Sequence, residues 1–295
     1  MSDGEVVPAP VERAADDADE RAIGALLVQA GKLAPQDVDT ILRAQREDGL
    51  RFGAAGMALG LLCQADVDYA LSRQFDYTYL RRGESKVSEE VVAAYEPFSP
   101  QVEALRALRA ELMLRWFDGD PARKALAVVS EGAKEGRSYI AANLAVVFAQ
   151  LGGRTLLIDT DLRNSRQHAL FGLDNRVGLS GILAGRAGPE AIQRIPALGN
   201  LSVLPAGALP PNPQELLTRP MFGHLLRQLA EHLDMILLDS PPAAESADAQ
   251  TLAMRAGAAL VVVRKSGSRM ARVQHVAQSV KRTRSAIVGA VFNDF

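Results

Sequence analysis

From about Pro97 the chain alternates short, continuous apolar runs with helical patterns, and this alternation limits the possible folds more than any other feature. The runs are ALAVVS (125–130), TLLID (155–159), LSVLP (201–205), MILLD (235–239), ALVVV (259–263) and AIVGAVF (286–292). A strand that is apolar at every position has both faces buried, and such strands separated by helices build a parallel sheet covered on both sides. The expected fold class for residues 97–295 is therefore α/β: a doubly wound, mostly parallel sheet. None of the runs approaches the ~20 residues of a membrane-spanning helix. The N-terminus, MSDGEVVPAP, is acidic, the wrong sign for a signal or transit peptide. The single cysteine, Cys63, excludes an internal disulfide and points to a reduced, cytoplasmic setting. Its thiol is expected as a small buried side chain. A formal net charge of −2 gives no field that recruits nucleic acid, which is excluded as a partner.

Residues 1–20 are acidic, contain proline and lack large apolar side chains, the composition of a disordered tail. A small helical domain is expected over 21–82, built on an internal repeat. AIGALLVQAGKLAPQDVDTILRAQ (22–45) and RFGAAGMALGLLCQADVDYALSRQ (51–74) align Gly24 with Gly53, Gly31 with Gly60, Leu33 with Leu62, and Asp37-Val38 with Asp66-Val67. Each unit reads as a short helix, a turn at glycine, a capping Asp or its neighbour, and a second helix. Two units are too few for a solenoid, so they are expected to pack on each other. RRGESKVSEE (81–90) reads as a linker or the start of a surface helix, and residues 83–96 are the expected linker.

Ligands of a doubly wound sheet sit at the carboxyl ends of its strands. The loop after the first apolar run is Ser130-Glu-Gly-Ala-Lys-Glu-Gly-Arg-Ser138, and a helix follows. Glycines let backbone N–H groups approach phosphate oxygens, and the helix adds the positive end of its dipole. A basic side chain at Arg137 and a hydroxyl at Ser138 are the phosphate and Mg²⁺ contacts of a P-loop. The loop departs from that pattern at Glu131, where a small residue is expected, at Lys134, where a glycine is, and at Arg137, where lysine is usual. Two more runs end in carboxylates: Asp159 and Asp161 after TLLI, and Asp239 after MILL. Such groups can hold Mg²⁺ through water or take a proton from an attacking hydroxyl, and they can also simply cap helices and turns. Three of them beside a P-loop-like turn favour a nucleotide site. The four histidines lack ligand spacing, so no metal beyond a nucleotide-associated Mg²⁺ is expected.

With these residues in place, the chain resembles the bacterial tyrosine kinases that pair with chain-length determinant proteins in exopolysaccharide synthesis. An N-terminal helical domain in place of membrane spans makes it most similar to the EpsG-type members. GRSY (136–139) stands at the Walker A position, LLIDTDLR (156–163) at the family's second Walker-type motif and ILLDSPP (236–242) at its Walker B. PPNPQELL (210–217) and SADAQTLA (246–253) also resemble family segments, so the resemblance covers about residues 95–295. It implies a P-loop protein-tyrosine kinase that uses ATP and Mg²⁺. By the same resemblance Gly132, Lys134, Glu135, Gly136, Arg137, Ser138, Tyr139 and Arg163 would contact nucleotide, and Asn293 would read adenine. Ser138, Asp161 and Asp239 would order the metal, while Asp159 or Asp161, with Arg137, would serve the transfer.

Glu103, Arg106 and Arg109 match the Glu-x-x-Arg-x-x-Arg that the family uses for ring-forming self-association. Spacing of three places them on one helical face beside a stripe of Val102, Leu105, Leu108 and Leu112. Intrahelical ion pairs on a solvated face would have the same spacing. The implied partner is a membrane chain-length determinant (polysaccharide co-polymerase) protein, which would hold this cytoplasmic protein at the inner membrane. The N-terminal repeat resembles the N-terminal domain of type II secretion ATPases, some of which bind cyclic di-GMP. Arg51-Phe-Gly53 fits that domain's opening Arg-x-Gly, whereas Ala22-Ile-Gly24 lacks the arginine. A docking module without a ligand is the other reading.

Arginine is a planar fork and lysine a compact point charge, so ATP binding is expected to survive at Arg137 better than turnover does. The family's C-terminal tyrosine cluster has no counterpart in this sequence, whose tyrosines are Tyr69, Tyr77, Tyr79, Tyr95 and Tyr139. The acceptor is therefore expected on another protein or at one of these positions. Two competing readings are a MinD/ParA-type ATPase, disfavoured by Gly132 where a lysine is usual, and a nucleotide-gated assembly scaffold. Residues 264–284 hold seven Lys/Arg and no acidic residue, as a solvated helix face or a surface for anionic lipid or an acidic partner would.

Overall fold

The computed structural model describes residues 23–74 and 79–294. They fall into two compact units divided between residues 77 and 78. The tail expected over 1–20 lies outside the described residues.

The first unit realises the repeat helix by helix: α1 (23–29), α2 (Pro35–Asp48), α3 (Phe52–Ala58) and α4 (Gln64–Gln74). Gly31 and Gly60 close the equivalent turns at the same left-handed φ of 68°, a conformation that glycine alone adopts without strain. The same packing recurs as well. A methyl group on Gly53 would stand 2.7 Å from Val67 Cγ1, and one on Gly24 3.1 Å from the equivalent Val38 Cγ1. Ile23, Leu27, Ile41, Phe52 and Val67 fill the core between the repeats. Capping differs between the units. Asp66 accepts from Cys63 N at 3.1 Å, whereas α2 starts on Pro35 without a side-chain cap. Cys63, expected to be buried, is exposed and donates to Asp66 Oδ2 at 2.9 Å. It precedes α4 at a helix entry, where backbone groups need solvent or a capping side chain.

In the second unit, α5 (Val92–Tyr95) and α6 (Pro100–Arg115) precede the sheet. Residues 83–96 are not a linker: Val87, Val91, Ala93, Ala94 and Tyr95 are buried in this unit's core. Their polar neighbours mask a short apolar series too brief to read as an element. The seven strands are β1 (Ala125–Val129), β2 (Thr155–Asp159), β3 (Gln193–Arg194), β4 (Leu201–Leu204), β5 (Met235–Asp239), β6 (Ala258–Arg264) and β7 (Ala286–Asn293). Their order is β3-β4-β2-β5-β1-β6-β7. Every pairing is parallel except β3 with β4.

The short helices α8 (Gln167–Leu170), α9 (Leu179–Leu183) and α10 (Pro213–Thr218) lie in the connections between strands. Strand residues alternate between two cores. Leu126 and Val128 pack on the side of α6 and of α7 (Arg137–Gln150). Ala127 and Val129 face the side of α11 (Pro220–His232), α12 (Asp248–Ala256) and α13 (Met270–Arg282). The chain leaves β1 for β2 on one side and returns to β6 on the other. The crevice outside the carboxyl end of β1 is thus the switch point where such sheets bind ligands. Among the described residues, no helix is long and apolar enough to cross a membrane.

Candidate functional site

β1 runs into the loop 130–136, and α7 starts at Arg137. Lys134 (φ 59°) and Gly136 (φ 96°) are both left-handed, so Lys134 adopts the backbone of the glycine expected there. That costs a side-chain-bearing residue on the order of 1 kcal/mol, and the surrounding bonds hold it. Glu135 is buried and accepts from Gly132 N at 2.9 Å and from the Ser268 hydroxyl. Asn293 Nδ2 donates to the Glu135 carbonyl at 3.2 Å, a use of the amide that the resemblance assigned to adenine. Arg137 is only 7% exposed. Its Nε donates to the Ser240 carbonyl at 2.8 Å and its Nη1 to the Gly132 carbonyl at 2.6 Å, with Ser130 Oγ a third acceptor. The fork ties this loop to the turn after β5, which a lysine's single nitrogen spans less completely.

β2 and β5 pair in register, so Asp159 and Asp239 are direct neighbours, and both are fully buried. Asp159 Oδ1 accepts from Asp161 N at 3.2 Å, and Oδ2 accepts from Arg166 N and Gln167 N, each at 2.9 Å. Burial, and then the Asp239 charge, push the Asp159 carboxyl well above the usual carboxylate range. Burial also raises Asp239, against the pull of its bond from Gln167 and the nearby Arg137 charge. Asp239 Oδ2 accepts from Gln167 Nε2 at 2.7 Å, Oδ1 is buried with no partner at hydrogen-bond distance, and the nearby Ser138 hydroxyl also pulls the carboxyl down. Asp161 is different: it is 5% exposed, lines the cleft, and accepts at Oδ1 from Asn164 N at 2.9 Å.

The cleft above these strands has a volume of about 410 Å³, and Lys134, Arg137, Ser138, Asp161, Arg166 and Glu245 are among its walls. Lys134, Arg166 and the N-terminus of α7 suit phosphate oxygens, while Arg137 is engaged by the protein's own acceptors. The residues also fit a nucleotide-bound divalent cation. Asp161 and Ser138 line the cleft, and Asp239 Oδ1 is a buried acceptor that lacks a donor. Oxygen ligands shared with phosphates and water are what Mg²⁺ prefers. No group of three His, Cys, Asp or Glu side chains among the described residues could hold a metal ion by itself.

Other expected site residues lie elsewhere. Arg163 pairs with the buried Asp248 of α12 and lines a second cleft beside Pro211–Pro213. Tyr139 packs half-buried against the core, and burial raises its phenol. On α6, Arg106 pairs with Glu103 within the helix, and Arg109 donates to the Val147 carbonyl of α7 at 2.6 Å. Val102, Leu105 and Leu112 are buried and Leu108 partly so. Sequence reasoning missed Arg166 and Gln167. Arg166 shares a loop with Asp161, a signal that could have found it, whereas a neutral glutamine eight residues past Asp159 carries none.

No family model matches the chain. Tyrosine-protein kinase YwqD of Bacillus subtilis is 34% identical over 209 residues, 71% of this chain and 87% of YwqD. Tyrosine-protein kinase Wzc of Salmonella typhimurium is 31% identical over 204 residues, which are 69% of this chain but 28% of Wzc. The kinase domain of the Escherichia coli tyrosine kinase ETK superposes with a TM-score of 0.68 at 31% identity, covering 75% of this chain and 85% of that domain.

Proposed function

The chain belongs to the bacterial tyrosine kinases, and from that premise we propose that it binds ATP and Mg²⁺ in the cleft at β1 and phosphorylates a protein tyrosine in the control of exopolysaccharide chain length. The observation that carries this reading is the division among the carboxylates: Asp159 is buried with both oxygens occupied by backbone N–H groups, while Asp161 lines the cleft beside the phosphate loop.

Backbone N–H groups of the loop, Lys134 and Arg166 hold the phosphates. Mg²⁺ arriving with the nucleotide would neutralise charge on the β- and γ-phosphates. Asp161 takes the proton of the tyrosine hydroxyl as its oxygen bonds to the γ-phosphorus. The bond to the β–γ bridging oxygen breaks, and that oxygen leaves with the electron pair on ADP. Asp159 orients the loop, since backbone N–H groups occupy both its oxygens. Arg137 holds the loop closed, which favours binding over fast turnover. Self-association through Glu103, Arg106 and Arg109, and docking of a cytoplasmic protein on a membrane chain-length determinant, belong to the same reading.

In the producing cell, Asp161→Asn should alter the polymer length distribution. Unaltered polymer alongside lost phosphotyrosine would remove chain-length control from the proposal. In the first unit, a cleft of about 810 Å³ presents Gln29, Arg43 and Arg46 among Val28, Val38 and Leu42. Planar bases and phosphates suit these walls, which supports cyclic di-GMP as a ligand. Calorimetric titration of the full chain with the dinucleotide should give heat that Arg43→Ala abolishes, and absence of heat in the unaltered protein would dispose of it.

A further inference from the structure

Among the fully buried polar side chains that the transfer chemistry leaves without a role, Gln167, the first residue of α8 (Gln167–Leu170), bonds directly to the strand-end carboxylates. Its Nε2 donates to Asp239 Oδ2 at 2.7 Å and to the Ser138 carbonyl at 3.1 Å, and its backbone N donates to Asp159 Oδ2 at 2.9 Å. One residue therefore bonds to β2, to β5 and to the first turn of α7. The amide orientation is fixed by chemistry, because both side-chain partners are acceptors and an oxygen turned toward them would be repelled. With both amide protons engaged, Oε1 is left buried without a donor, and so is Asp239 Oδ1. Buried acceptors are seldom left without a donor in folded proteins. Two of them on side chains bonded to each other mark a place for water.

We propose that Gln167 is a positioning residue for phosphoryl transfer. It locks the Asp239 carboxylate so that Oδ1, together with its own Oε1, accepts hydrogen bonds from water carried by a nucleotide-bound divalent cation. The inference rests on the nucleotide-site reading above. Glutamine suits the task because it donates to a carboxylate without cancelling its charge. Lysine or arginine would offset that charge, and glutamate would repel it.

The test uses the full chain as unaltered protein, Gln167→Met and Gln167→Asn. Methionine keeps the length and burial without the amide, and asparagine keeps the amide on a stem too short for both partners. Each protein is titrated with ADP in Mg²⁺ and in excess chelator, and Mn²⁺ with ADP is followed by electron paramagnetic resonance. Metal-free ADP affinity should stay within about twofold in both variants, while the tightening due to metal falls about 10- to 100-fold, as losses of outer-shell partners do. The Mn²⁺ spectrum should change with it. Variants that keep the full metal response overturn the role, and so do variants that lose metal-free affinity to the same degree, the mark of a merely structural residue. An unaltered protein that binds ADP without metal-dependent tightening overturns this role, and one that binds no ADP overturns the nucleotide site as well; both are distinct from variants that match a responsive parent.

Discussion

The substitution Arg137→Lys separates a loop held by a fork from one that needs only a charge. The guanidinium donates to the Ser240 carbonyl at 2.8 Å, to the Gly132 carbonyl at 2.6 Å and to Ser130 Oγ. An ammonium offers its donors from one atom, so the substituted side chain would keep one of these partners and lose the others. A hydrogen bond from a charged donor contributes about 1.5–3 kcal/mol, and a buried carbonyl left without a donor costs about 1–3 kcal/mol. Allowing for relaxation, the loss is about 3 kcal/mol. At about 2–4 °C per kcal/mol for a unit of this size, nucleotide-free Tm should fall by about 6–12 °C. Nucleotide affinity should survive, because the freed ammonium can donate to phosphate. Differential scanning calorimetry with and without Mg·ADP reads both quantities. An unchanged nucleotide-free Tm would refute the fork, and abolished nucleotide binding would mean that Arg137 itself grips phosphate.

Asp159 provides a pH test: its folded-state pKa is raised above the ordinary 3.8, so the native state holds a proton that the unfolded chain releases, and stability falls as pH rises through that window. Nucleotide-free protein should therefore gain stability as pH falls through that window, and Asp239→Asn should flatten the gain by removing the neighbouring charge; identical slopes would sink the idea. Gly53→Ala places a methyl group 2.7 Å from Val67 Cγ1 and should cost the first unit about 1–3 kcal/mol. Hydrogen exchange over residues 23–74 of the full chain would report it, and unchanged protection would contradict the close packing. Glu103→Arg removes the Glu103–Arg106 ion pair and sets two like charges three residues apart on α6, together a helix penalty of about 1 kcal/mol. Tm should fall by only about 2–4 °C while self-association is lost in sedimentation, and unaltered association would clear α6 of that role.

The sheet was legible because its strands are buried on both faces and read as unbroken apolar runs. The first unit was legible because Gly31 and Gly60 recur at equal spacing. β3 escaped notice as two polar residues, Gln193 and Arg194, paired only through the backbone. Residues 83–96 read as a linker because Arg, Glu, Ser and Lys surround a burial signal too short for either periodicity. At the site, the sequence offers Asp159 and Asp161 as equivalent strand-end carboxylates. Only the pairing of β2 with β5 separates the sealed one from the one that lines the cleft. The inward course of Arg137 uses two acceptors in its own loop and a third more than a hundred positions away, at Ser240, which no local pattern encodes.

The first experiment is to incubate the full chain with Mg²⁺ and ATP labelled at the γ-phosphate, with and without the cytoplasmic segment of a chain-length determinant, and to identify the labelled residues. Label should appear on tyrosine with the unaltered protein and vanish with Asp161→Asn, while both still bind ATP. ATP bound by the unaltered protein with no labelled tyrosine under either condition would contradict a kinase at this cleft.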